Sequence, residues 1–308
     1  MNVYMTNKTF AGLVFIFCFS SGYAQTDSIA PVYKDTLPTE NSGVESKLIA
    51  KEKAMEIKKE PVYRIHRAVD IPIVAIGTGW SLFAFTKIYN KSEPTDEQLQ
   101  NLNSSNINSF DRSGIYPYSR SLDINSYYPF YASIPLPIIL FLSGKDTRHD
   151  FYQLTFLYWE AMSITGLLGT TAPYSVDKYR PFTYNDATSL ADKKSHQPKN
   201  SFYSGHVGLV ATSTFFAAKV YADYHPESKI KWVFYGAASV ITAGTGYMRL
   251  KGGMHFPSDI LLGITVGALS GILVPQFHKI KNPVLSVLPF TNGEVNGLTF
   301  TYKFRNKR

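Results

Sequence analysis

Cysteine is nearly absent: Cys18 is the single one among 308 residues. One thiol excludes a disulfide framework and a metal site built on paired thiolates. Cys18 also lies in a segment expected to leave the chain. Lys8 precedes the apolar run 10–20, and Gly22-Tyr23-Ala24 puts small residues at the −3 and −1 positions of a cleavage site. Residues 1–24 therefore read as a secretory signal peptide, with Gln25 first in the mature chain. Ile16 and Phe17 before Cys18 do not fit a lipoprotein site. A basic run interleaved with aromatics is also missing, so no nucleic-acid partner is expected. The lysines of 51–59 alternate with Glu and read as a solvated helix face. No carboxylate cluster suited to magnesium stands out. His66, His149, His196, His225 and His278 show no metal-ligand spacing. No metal and no cofactor are expected.

Apolar residues are plentiful, at 44%, with 15% aromatics, enough for a sizeable core. A formal charge of +8 suits an anionic lipid or a phosphorylated substrate. Residues 25–65 are polar, with Pro31, Pro38 and Pro61, and read as a linker with a short helix. Six apolar segments follow, at 71–86, 129–143, 151–171, 207–222, 232–248 and 260–277, without strict alternation. They predict an all-α fold: an antiparallel helical bundle of about six core helices over 66–280. A polar loop, 90–125, separates the first two. Residues 281–308 carry two short β-prone runs around Thr291-Asn292-Gly293 and Asn296-Gly297, which predicts a C-terminal β-hairpin.

Three stretches gather the chemistry. Lys178-Tyr179-Arg180-Pro181 follows the third segment, Ser201-Phe202-Tyr203-Ser204-Gly205-His206 opens the fourth, and Arg249 to Asp259 joins the fifth to the sixth. In an antiparallel bundle all three meet at one end. Arg180 and Arg249 offer permanently charged, planar donors that match phosphate oxygens. Ser204 adds a hydroxyl, and the amide of Gly205 sits where a helix N-terminus favours anions. Asp259 is close enough in sequence to His255 to accept its Nδ1–H and leave Nε2 as a nucleophile. A lone histidine is more often a cap or a packed core residue; this constellation reverses that reading for His206 and His255.

Arg180-Pro181, Ser204-Gly205-His206 and Arg249-x5-His255-x3-Asp259 resemble, in order, the motifs of the type 2 phosphatidic acid phosphatase (PAP2) and vanadium haloperoxidase superfamily. The resemblance spans roughly 150–277. It implies a metal-independent phosphatase with a phosphohistidine intermediate. His255 would be the nucleophile, Asp259 its support and His206 the general acid and base. Arg180, Ser204, Gly205 and Arg249 would hold the phosphate. The family lysine, seven places before Arg180, falls on Pro173, and Lys178 is the candidate to replace its ammonium. One lost charge-assisted contact is worth about 1.5–3 kcal/mol of anion binding. The implied substrate is a phosphorylated lipid (phosphatidate, phosphatidylglycerol phosphate, polyprenyl pyrophosphate or lipid A) or a small phosphomonoester. A vanadium-dependent haloperoxidase and a non-catalytic envelope protein are the alternatives. The expected place is the cell envelope or periplasm, with membrane association and the pocket outside. Whether the bundle spans the membrane and how many copies assemble stay open. If six helices span from an exported start, the pocket would instead face the cytoplasm.

Overall fold

A computed structural model describes residues 61–280 in full, together with the backbone of 285–291 and 296–302. The expected signal peptide, 1–24, and almost all of the expected linker, 25–65, lie outside the described residues. Five long helices carry the bundle: α1 (Arg67–Tyr89), α8 (Phe151–Ser175), α10 (Gly205–Tyr224), α11 (Lys231–Lys251) and α12 (Pro257–His278). Each coincides with an apolar segment and extends it by a few residues. Shorter helices fill the connections: α2 (Asp96–Gln100), α3 (Ser109–Arg112), α4 (Arg120–Asn125), α5 (Tyr127–Ser133), α6 (Leu136–Ser143), α7 (Lys145–His149) and α9 (Leu190–Lys194).

The second apolar segment is not one helix. It divides into α5 and α6, which meet at Pro135, where the missing N–H and the fixed φ interrupt the ladder. The pair still makes one pass: Tyr127 packs on His206 at the start of α10, and Phe141 packs on Phe216 deeper along it. The long polar loop is likewise more ordered than its Asn and Ser content suggests. Side-chain caps at Thr95 and Asn108 start α2 and α3.

α10 is the axis, packed by α8, α11 and α12. It lies closest to α12 because Gly263, Gly267 and Gly271 form a stripe four residues apart. A methyl group at Gly263 would come within 2.7 Å of Ser204 O, one at Gly271 within 2.6 Å of Thr212 O, and one at Gly267 would overlap Gly208 O. Small residues let two backbones approach, and here they bring both helix N-termini side by side. The amide of Ser204 accordingly donates to the Asp259 carbonyl at 3.2 Å.

The two halves of the bundle differ. Phe141, Leu154, Leu157, Phe216, Val220 and Val274 form a buried apolar core in the half where α10 and α12 end. The half where they begin holds the polar stretches. α1 starts at the apolar end, where Arg64 N donates to His278 O at 2.8 Å, and finishes at the polar end, where Lys91 Nζ caps α8 through Asp177 at 2.6 Å. With α5 and α6 counted as one pass, six passes separate the start of α1 from the end of α12. In a membrane-spanning bundle an exported α1 start and an external pocket would then exclude one another.

α1 and α12 are long and apolar enough to cross a membrane. Their outward faces are apolar, with Ile76 65% and Phe277 75% exposed. This marks a membrane-associated protein. Backbone pairing joins β1 (Leu285–Thr291) to β2 (Asn296–Tyr302) antiparallel, Leu285 opposite Tyr302.

Candidate active site

Each element delivers its residue through a definable local cause. α11 ends with Gly253 at φ 72°, a left-handed residue that only glycine adopts without strain. A Cβ there would also meet Tyr116 O at 2.6 Å. This turn reverses the chain after Arg249 and lays Met254 and His255 against the loop before α10. Pro257 then starts α12 at its first position.

His255 is 3% exposed, and its Nδ1 lies 2.7 Å from the Ser201 carbonyl. A carbonyl only accepts, so Nδ1 carries the hydrogen and Nε2 keeps a lone pair. The expected Nδ1–H to Asp259 bond is therefore not the one made. Asp259, fully buried, is the third residue of α12, and its carboxylate folds back onto the helix start. Its Oδ2 accepts from Phe256 N at 3.1 Å and from Ser201 Oγ at 2.7 Å. Asp259 thus fixes Ser201, and Ser201 fixes His255. Sequence spacing could not reveal this bridge, because Ser201 lies 54 residues from His255.

The second correction concerns Lys178. Its ammonium pairs with Asp259 Oδ1 at 2.7 Å and Asp111 Oδ2 at 3.4 Å, and stands over the Phe256 ring at 4.8 Å. A cation committed to two buried carboxylates is not a free phosphate ligand. Asp111 also takes Ser258 N and Oγ, at 2.9 and 2.7 Å, so it ties α3 to the start of α12. Lys91, the other lysine near Pro173, serves α8 and Asp177 instead.

Arg180 and Arg249 are both buried. Arg180 donates through Nε to Gln197 O at 2.9 Å and through Nη1 to Met254 O at 3.1 Å. Burial, with the Arg249 guanidinium nearby, pushes it down to about 10. Arg249 donates through Nη1 to Asp123 Oδ1 at 2.5 Å and to Ser126 Oγ at 3.2 Å. Asp123 of α4 and Ser126, between α4 and α5, are support that sequence reading missed. Only the burial of an Arg in the last turn of α11 required such a carboxylate.

His206 packs between Tyr127, edge-on at 4.7 Å, and Phe130 at 4.7 Å. Burial first, then Arg249 and Arg180, holds its imidazole well below the ordinary histidine range. Burial, Arg180 and Arg249 act on His255 in the same direction. Both guanidiniums are therefore close enough to oppose a proton on either ring, and the four side chains share one region. Three buried polar atoms there lack any hydrogen-bond partner: Ser204 Oγ, His206 Nε2 and Arg249 Nε. A Cβ on Gly205 would meet nothing within 4 Å. Unsatisfied buried donors around a small space are what an absent anion would complete. Of the eight residues singled out from sequence, seven gather here; Lys178 reaches the group only through Asp259, its ammonium held between Asp259 and Asp111.

A helical bundle that brings two buried arginines, from the α8–α10 connection and the last turn of α11, to histidines at the starts of α10 and α12 defines an oxyanion-handling class. Residues 154–283 match the PAP2 superfamily model. The lipid A 1-phosphatase of Rhizobium johnstonii (strain DSM 114642 / LMG 32736 / 3841) is 26% identical over 150 residues, 44% of this chain. The chain spans 57% of the length of that relative. Among solved structures, Aquifex aeolicus LpxE is 24% identical, with a TM-score of 0.36, over 51% of this chain and 87% of its own. A transmembrane PAP2-type phosphatidylglycerolphosphate phosphatase from Bacillus subtilis is 21% identical, with a TM-score of 0.41, over 66% and 96%.

Proposed function

We propose that the protein is a metal-independent phosphatase of membrane lipids working through a phosphohistidine. The observation that carries this is the set of unpaired buried donors, Ser204 Oγ and Arg249 Nε, beside the free Nε2 of His206 and the Nε2 lone pair of His255. His255 Nε2 attacks phosphorus as the ester P–O bond breaks. Protonated His206 gives its proton to the leaving oxygen. Neutral His206 then takes a proton from water, which attacks the phosphohistidine and frees His255 and phosphate. Arg180, Arg249, Ser204 and the Gly205 amide stabilise the equatorial oxygens, where positioned charge does most to lower the barrier to phosphoryl transfer. Arg180 and the unpaired Nε of Arg249, with the Gly205 amide, supply the donors, and the reading invokes no divalent ion. Asp259 and Ser201 are positioning residues. A substrate dianion also offsets the guanidinium field on His206 and lets it hold the proton that the empty site opposes.

A lipid substrate is supported by the name of the Rhizobium relative and by two exposed tyrosines of α5 near the site. Tyr128 and Tyr131, beside the rings that hold His206, are 70% and 44% exposed and suit the edge of an acyl layer. The pocket is proposed to face the outside of the membrane, with α1 starting on the inside.

The test is hydrolysis of a panel of lipid and soluble phosphates, in EDTA, by purified protein. Phosphate release that vanadate inhibits and His255→Ala abolishes is expected. Bromination of a dye that requires added vanadate, with no phosphate release, would overturn it. Labelling of a cysteine introduced near Ser204, in a Cys18→Ser background, reports the side the pocket faces.

A further inference from the structure

At the opposite end of the bundle lies a cluster that the proposed reaction does not use. His66 precedes α1, Asp70 is in its first turn, and His278 is the last residue of α12. One ligand atom from each lies within 4.8 Å of the other two. His278 Nε2 is 3.0 Å from Asp70 Oδ2 and 3.6 Å from Glu160 Oε2 of α8. All four residues line one cavity of about 470 Å³, whose other walls are apolar apart from Ser270, among them Ile73, Ile164 and Leu273.

We propose that this cluster is a structural site for a divalent transition ion, zinc by its donor set, held by His66, Asp70 and His278 with Glu160 as fourth ligand. Two observations carry it. Glu160 is 2% exposed, and its Oε2 accepts no hydrogen bond, so a buried carboxylate oxygen lies open to the cavity. His278 Nδ1 donates to the Val274 carbonyl at 2.7 Å, so Nε2 is the ring nitrogen aimed at the carboxylates, 3.0 Å from Asp70 Oδ2, and the atom an ion would take. That backbone bond is the outer-shell partner that orients a metal-binding histidine. The donors of a tetrahedral ion with bonds of ~2.0–2.2 Å stand ~3.3–3.6 Å apart, so donor atoms now up to 4.8 Å apart must draw together by about 1 Å on binding. Small side-chain rotations would close this gap. Two imidazoles and two carboxylates suit zinc better than calcium or magnesium, which prefer oxygen alone.

The placement gives the ion a role. His66 and His278 are 212 positions apart, and the chain before α1 pairs there with the residue after α12, Tyr63 opposite Lys279. An ion would join α1, α8 and α12 at one point. The imidazoles lie too far apart in sequence for spacing to reveal them.

The test loads the full chain, in detergent and without an affinity tag of histidines, with zinc chloride after chelator stripping. Metal analysis should give one zinc per chain, and thermal unfolding should rise by about 5–10 °C at free zinc a hundredfold above the dissociation constant. His66→Ala should lose both effects; His66 is exposed, so the variant keeps the buried Asp70–His278 pair and its fold. His255→Ala should keep both. Zinc below a tenth of an equivalent after loading, or the same binding in wild type and His66→Ala, would overturn the proposal. Because the readouts are metal content and unfolding, they stand apart from any result on phosphate release.

Discussion

Replacing Ser201 by alanine separates two arrangements of His255, the proposed nucleophile. In the structure the Asp259 carboxylate does not touch the His255 ring. It accepts the Ser201 hydroxyl at 2.7 Å, and the Ser201 carbonyl accepts His255 Nδ1–H at 2.7 Å. Ser201→Ala keeps that carbonyl but removes the hydroxyl that pins it. A hydrogen bond to a charged group is worth about 1.5–3 kcal/mol. At 1.36 kcal/mol per decade this bounds the effect at roughly 10–150-fold in kcat. A mispositioned carbonyl expresses part of it, so roughly a tenfold fall in kcat with little change in KM is expected. Asp259→Asn removes the charge that also holds Lys178 and should cost more. The double variant should cost little beyond Asp259→Asn alone, because both changes break one chain of contacts. The assay is steady-state phosphate release for wild type, both single variants and the double variant, each checked for folding by its unfolding transition. Wild-type kcat in Ser201→Ala beside a thousandfold loss in Asp259→Asn would refute the bridge and restore direct contact.

Lys178→Met should leave KM for phosphate esters unchanged while lowering Tm, since the ammonium serves Asp259 and Asp111. Arg180→Lys should lower kcat/KM by roughly 10–100-fold, because a single ammonium cannot reproduce a planar fork. Stability should fall as pH drops below about 6.5. There the unfolded chain binds protons that buried His206 and His255 refuse, and the loss should be shallower in His206→Gln, read by unfolding at pH 5 to 7. Gly267→Ala should cost about 1–3 kcal/mol by forcing α12 off Gly208 O. Gly236→Ala, where a Cβ meets nothing within 4 Å, should not lower Tm.

Five of the six helices were legible because each is a long apolar run with its signals in place, such as Pro257 and Asp259 at the start of α12. The break at Pro135 is a local steric event inside an otherwise apolar run, which composition does not register. Convergence of the motif residues followed from antiparallel order along the chain. What stayed hidden was side-chain partnership. The choice of Ser201 over Asp259 for His255 depends on how the loop 200–204 folds over α12. The choice of Asp259 over phosphate for Lys178 depends on Asp111, brought in from 67 positions away. His66 and His278 illustrate the same limit: they carry no pattern in sequence, yet they are adjacent in space.

The most direct measurement of the central claim is rapid quench of the enzyme with a ³²P-labelled lipid phosphate, followed by analysis of the protein. An acid-labile, base-stable phosphoryl group on His255 is expected; it should accumulate in His206→Ala when the labelled substrate is p-nitrophenyl phosphate, whose leaving group needs no proton, and be absent in His255→Ala. Turnover with no label on the protein when His206 is removed, or label retained in His255→Ala, would contradict the account.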